Sequence, residues 1–125
     1  MQDYLVFDSS VWIELLKNGP KSTEAKKYLG KKILAPEITL AEVSAKAYDF
    51  GLPNPLSIIE SIAQQVQAVG LNTWIADRAG KLRREHQKEG LSLNDAIILA
   101  TAEYYEAGLL TLDNDFKPFK NAIVI

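Results

Sequence analysis

Four acidic side chains, Asp8, Glu42, Asp95 and Asp113, stand where carboxylates carry chemical information. Asp8 directly follows the apolar run Tyr4-Leu5-Val6-Phe7, and Asp113 follows Leu109-Leu110-Thr111-Leu112. Both runs read as buried strands, which puts both acids at the carboxyl edge of a sheet, where ligands of open α/β folds collect. Glu42 and Asp95 close the segments Thr39-Leu40-Ala41-Glu42 and Ser92-Leu93-Asn94-Asp95. That capping-box spacing places each acid in the first turn of a helix. Carboxylates gathered at one edge repel, and some must protonate unless a cation neutralises them. Oxygen ligands with no histidine or cysteine nearby select a hard ion, Mg²⁺ or Mn²⁺. Such an ion lowers the pKa of bound water and stabilises the charge that develops in phosphodiester hydrolysis. Each acid also has a plainer reading. Glu42 and Asp95 fit as helix caps and Asp113 as a turn residue in Asp113-Asn114-Asp115. Asp8 is harder to explain in that way, because a neutral turn would serve between a strand and Ser9-Ser10.

The elements that must carry these acids alternate along the chain. After the strand Tyr4–Phe7, Ser9 or Ser10 is expected to cap a helix from Val11 to about Lys17, closed at Asn18-Gly19-Pro20. A second helix fits Thr23–Leu29 with Ser22 as cap, and Ile33–Ala35 a second strand stopped by Pro36. Thr39 opens a helix to about Phe50, and Asn54-Pro55 opens another to about Gln65. Val66–Val69 reads as a third strand, Thr73 to about Lys88 as a long charged helix, and Ser92 to Ala107 as a helix ended by Gly108. Leu109–Leu112 and Ala122–Ile125 are the fourth and fifth strands. Strands alternating with helices predict an α/β domain with a mainly parallel sheet, spanning 1–125 as one unit without repeats or linkers.

Composition excludes several function classes. There is no cysteine, which removes disulfides, thiolate catalysis and Cys-ligated zinc and fits a reducing, cytoplasmic setting. No apolar window is long enough to span a membrane, and Met1-Gln2-Asp3-Tyr4 lacks the basic flank of a signal peptide. A net charge of −2 argues against coating nucleic acid by bulk electrostatics. Without the four acids, however, the remainder is mildly basic. Glycine-rich phosphate loops are absent, which argues against nucleotide triphosphates.

The residues around the acids resemble the PIN domain and, within it, the small VapC-type toxins. Phe7-Asp8-Ser9-Ser10-Val11 resembles the opening signature of that family, and Thr39-Leu40-Ala41-Glu42-Val43 its second motif. Leu93 to Ala102, with Asp95 near its start, resembles the third, and Leu110-Thr111-Leu112-Asp113-Asn114-Asp115-Phe116 the fourth. The resemblance implies a three-layer α/β/α sandwich with a parallel sheet and Mg²⁺- or Mn²⁺-dependent endonuclease activity on RNA. It carries Asp8, Glu42, Asp95 and Asp113 over as metal ligands or positioners of the attacking water. Ser9 and Thr111 become hydroxyls that orient those ligands, and Asp115 is a candidate fifth acid or a turn residue. It also implies a homodimer and an antitoxin protein that places an Arg or Lys near Asp8 and Asp113.

The remaining chemistry-bearing residues have structural readings. His86, the single histidine, sits among Arg83, Arg84, Glu85 and Lys88 and reads as a solvated surface residue. Lys81, Arg83, Arg84 and Lys88, like Lys26, Lys27, Lys31 and Lys32, suit RNA phosphates or a solvated face, the former stitched by Asp77–Lys81. Trp12, Tyr48, Phe50 and Trp74 are expected in the core. Two other functions remain in view: an Asp/Mg²⁺ phosphoryl-transfer domain, and a non-catalytic binding module on the same fold. The first usually wants a second acid two residues after its nucleophile, where this chain has Ser10.

Overall fold

A computed structural model describes residues 3–125. Met1 and Gln2, read above as part of a leaderless N-terminus, lie outside the described residues. Five strands form one sheet: β1 (Tyr4–Phe7), β2 (Lys32–Pro36), β3 (Gln67–Val69), β4 (Gly108–Thr111) and β5 (Ala122–Val124). Their order is β3-β2-β1-β4-β5, and all four pairings are parallel. The expected α/β/α sandwich is present, with a sheet that is parallel throughout.

The three central strands are apolar on both faces, as a sheet covered on both sides requires. Along β1 the side chains alternate between two cores. Val6 joins Leu34 and Leu109 in one, while Leu5 and Phe7 join Ile33 and Leu110 in the other. Helices α5 (Thr73–Glu85) and α6 (Leu93–Tyr104) cover the first face, with Ile75, Ala79 and Leu82 spaced along one stripe of α5. The second face is covered by α1 (Ser9–Lys17), α2 (Ser22–Lys26), α3 (Glu37–Asp49) and α4 (Pro55–Gln65), through Val11, Trp12, Ala25, Val43 and Ile62. Among the described residues no helix is long and apolar enough to cross a membrane.

Several local expectations are corrected. Asp8, not Ser9 or Ser10, caps α1, because its carboxylate accepts the Ser9 N–H at 2.9 Å. Helix α3 begins at Glu37 rather than Thr39. The Thr39 hydroxyl lies inside the helix and donates to the Pro36 carbonyl at 2.7 Å, so Glu42 falls in the second turn and not the first. Lys21, not Ser22, precedes α2, and the Ser22 hydroxyl donates to Asn18 Oδ1 instead. Helix α5 stops at Glu85, and a separate 3₁₀ turn covers Gln87–Glu89. Helix α6 stops at Tyr104, three residues early. Glu106 adopts φ 52°, and the Ala107 N–H reaches back to the Ala102 carbonyl, the pattern of a helix C-terminus usually given to glycine.

Of the four aromatics expected in the core, only Trp12 is there. Tyr48 is 68% exposed, Trp74 48%, and Phe50 also lies open. The charged face of α5 is not stitched by Asp77–Lys81. Arg78 instead makes a two-pronged bond to Glu103 of α6, at 2.6 and 3.1 Å, and approaches Glu85 at 3.7 Å. His86 is half-buried rather than fully solvated, edge-on to Phe119 with ring centroids 4.8 Å apart.

Glu14, a buried acid the sequence reading passed over, braces the α1–α2 turn by accepting the Lys21 N–H at 2.7 Å. A Cβ at Gly19 would overlap its carboxylate. Gly19→Ala is therefore expected to destabilise the fold by about 1–3 kcal/mol, through loss of that buried hydrogen bond. Chemical denaturation checks this, and a midpoint unchanged from wild type would show that Glu14 relocates without loss.

Candidate active site

Chain order runs outward from β1 in two directions, through β2 to β3 and then from β4 to β5. The reversal falls between β1 and β4, and the crevice at the carboxyl ends of two such strands is where open sheets bind ligands. Asp8 stands at that point, one residue beyond β1, with its N–H donating to the Leu110 carbonyl of β4 at 2.9 Å.

Asp8 is 5% exposed and firmly held. Besides the Ser9 N–H on Oδ1, its Oδ2 accepts the hydroxyls of Ser10 and Thr111, each at 2.8 Å. The Leu112 N–H donates to Ser10 Oγ at 3.0 Å, and the Asp113 N–H to Thr111 Oγ1 at 2.9 Å. This network links the ends of β1 and β4 and fixes the Asp8 carboxylate relative to Asp113. Thr111, singled out above, bonds to Asp8 within this network. Ser10 does so as well, and the sequence reading missed Ser10 because the serine adjacent to the acid looked sufficient. Ser9 contributes its main chain to Asp8, while its side chain lies by Glu42.

Asp95 enters from the first turn of α6, with its N–H donating to Ser92 Oγ at 3.1 Å as the capping box predicts. Burial, then Asp8 and then Asp113 push its carboxyl up to about 6, Glu42 adds to the rise, and Ser92 opposes it. Glu42 is raised as well, first by burial and then by Asp8, against the lowering effect of Ser9 and Asn94. Asn94 is a second polar neighbour that the sequence reading did not single out, although it sits within the quoted motif. One Glu42 oxygen, Oε1, is buried and accepts no hydrogen bond among the described residues. Asp113 caps a 3₁₀ turn at Asn114–Phe116 by accepting the Asp115 N–H at 2.9 Å. Asp115 itself points to solvent and is not among the acids acting on Asp95.

Asp8, Glu42 and Asp113 thus all lie within electrostatic reach of Asp95, each on a different element. Among the described residues no three acidic or histidine side chains already converge tightly enough to grip one ion. The donor set fits a hard divalent cation: it is all oxygen, it includes an unpartnered buried Oε1 on Glu42, and it raises the carboxyl of Asp95.

An all-parallel α/β/α sandwich with an acidic pole at its switch point is the class that fold and geometry define. The PIN domain model matches residues 5–121, and the chain belongs to that family. Among solved structures it is similar to a toxin-antitoxin complex from Klebsiella pneumoniae, at 25% identity and TM-score 0.81 over 96% of each chain. It also resembles VapBC-1 from nontypeable Haemophilus influenzae, at 28% identity and TM-score 0.69, covering 94% of this chain and 91% of that one. A sarcin-ricin loop cleaving VapC toxin from Mycobacterium tuberculosis shares the fold at 16% identity and TM-score 0.80, with 93% and 95% covered. No curated protein sequence matches significantly.

Proposed function

We propose that this chain is a metal-dependent endoribonuclease and the toxin half of a toxin-antitoxin pair. The observation that carries the reading is the environment of Asp95, where burial first, and then Asp8, Asp113 and Glu42 from three other elements, push the carboxyl up to about 6. A site that concentrates negative charge to that degree gains most from a bound divalent cation. The family and the toxin-antitoxin structures it resembles at 25% and 28% identity support the nuclease toxin assignment.

Asp8, Glu42, Asp95 and Asp113 would hold Mg²⁺ or Mn²⁺, which when bound supplies positive charge to a phosphodiester undergoing hydrolysis. The chain's own contribution is preorganisation. Ser10 and Thr111 lock one oxygen of Asp8, Ser9 and Asn94 steady Glu42, and the capping box fixes Asp95. The phosphoryl-transfer alternative has no support at its second acid, since Ser10 spends its hydroxyl on Asp8. The test is cleavage of single-stranded or looped RNA with Mn²⁺ or Mg²⁺, and its arrest by EDTA. Metal and RNA binding without turnover would instead make the chain a binding module.

An antitoxin belongs to the same reading. Its Arg or Lys would lie near Asp8 and Asp113 in place of the metal's charge. Exposed Tyr48, Phe50, Trp74 and Tyr104 offer apolar area to that partner or to a second copy of the chain. Co-expression with the product of the adjacent gene is expected to suppress toxicity and yield a co-purifying complex. Absence of co-purification would remove the toxin-antitoxin assignment and leave the nuclease untouched.

A further inference from the structure

Beside the acids, the same sheet edge carries a recess that the chemistry above does not use. It lies past the ends of β2 and β3, has a volume of about 100 Å³, and is walled by Ile38, Val69, Leu71, Ile97, Thr101 and Glu37. It shares α3 with Glu42 and α6 with Asp95. The lining is apolar apart from two side chains. The Thr101 hydroxyl donates its proton to the Ile97 carbonyl at 2.7 Å, and Glu37 supplies the charged acceptor of the lining. No cation among the described residues pairs with Glu37. Gly70 faces it so closely that a Cβ there would come within 3.0 Å of Glu37 Oε1. Leu71, 60% exposed, offers apolar surface to a ring.

We propose that this recess reads one unstacked guanine of the RNA, with the Glu37 carboxylate accepting hydrogen bonds from guanine N1–H and N2–H. The inference rests on the ribonuclease reading and names a feature of its substrate. Single-stranded RNA is read by splaying bases out and bonding their Watson–Crick edges. A carboxylate is an acceptor only, and guanine alone presents two adjacent donors on that edge. Adenine and cytosine each set an acceptor nitrogen beside a single amino group, and uracil sets one N–H between two carbonyls. The volume is too small to enclose a purine, so only the Watson–Crick edge would enter, with the ring resting over exposed Leu71. As the first residue of α3, Glu37 also favours the helix dipole, a role that gives no base preference.

The test is binding of labelled five-nucleotide RNAs, uridine except for guanosine, inosine or adenosine at the centre, measured by fluorescence anisotropy in EDTA. Wild type is expected to favour guanosine over adenosine by at least ~10-fold, the lower range for a two-bond contact. Inosine, which lacks the N2 amino group, should fall between them. Glu37→Gln offers one acceptor and one donor, matching adenine, and should shift preference from guanosine toward adenosine. Gly70→Ala, confirmed as folded by its melt, should blunt discrimination by displacing the carboxylate. Equal affinities in wild type, or a guanosine preference unchanged in Glu37→Gln, would overturn the pocket. Cleavage with Mn²⁺ but without base preference also overturns it while the nuclease reading stands. Guanosine-selective binding without cleavage supports the pocket and removes the nuclease.

Discussion

Asp8→Asn is expected to slow Mn²⁺-dependent RNA cleavage by at least ~100-fold while leaving the protein folded. Asparagine keeps the shape of the side chain and is as good a helix cap as aspartate, so α1 should retain its start at Ser9. The charge is lost at the acid that contributes to raising both Glu42 and Asp95. The amide also cannot accept from the Ser9 N–H and from both hydroxyls of Ser10 and Thr111 as the carboxylate does. Rates for the two proteins, each with Mn²⁺ and with EDTA, decide the matter once matching melts show that both are folded. Full activity of the variant, or undiminished cleavage in EDTA, would sink the metal mechanism.

Metal-free protein should become less stable as pH rises from about 4 toward neutrality. The sign follows from Asp95, whose carboxyl moves from 3.8 to about 6 on folding. Below 3.8 both states hold the proton. Between the two values the unfolded chain releases it first, which favours unfolding, and above about 6 the loss is complete. Glu42, also raised, acts in the same direction. Asp95→Asn should remove most of this slope and stabilise the metal-free protein near neutral pH by ~1 kcal/mol, after allowance for solvent screening. Ser92 still accepts the residue-95 N–H in the variant, so most of the cap survives. Saturating Mn²⁺ should then raise the wild-type melting temperature, corresponding to about 2.7 kcal/mol at ~100 times Kd, and raise that of the variant far less. Equal metal-induced shifts in both proteins would mean that Asp95 is an ordinary helix cap.

Local signals were strongest where one residue type had few alternatives. Apolar runs marked β1 and β4, and the acids after them fell at one sheet edge because parallel strands share a direction. The Ser92–Asp95 box formed as expected, since its bonds lie within one turn. Thr39 misled for a related reason. Its hydroxyl found the Pro36 carbonyl, so the helix began earlier and the same spacing gave no cap. Glu42 still reaches the acids, because α3 is anchored by Val43 and Ala47 and not by its first turn. Tyr48, Phe50 and Trp74 were misplaced because hydrophobicity alone does not say which face of a helix meets the sheet.

The linear chain determined the element types, the α/β class with its parallel sheet and the placement of Asp8 and Asp113 after apolar strands, all of which depend on periodicity and on neighbours a few residues apart. It could not specify the strand order. That order sets β4 beside β1, and so brings Thr111 to Asp8 across 103 positions and the Leu112 N–H to Ser10 across 102. The raised carboxyl of Asp95 is likewise a tertiary property. It arises from burial and from Asp8 and Asp113, which lie far away in sequence and become neighbours only when both cores close on the sheet. Burial and Coulomb repulsion act through distance in space, and only the folded chain sets those distances.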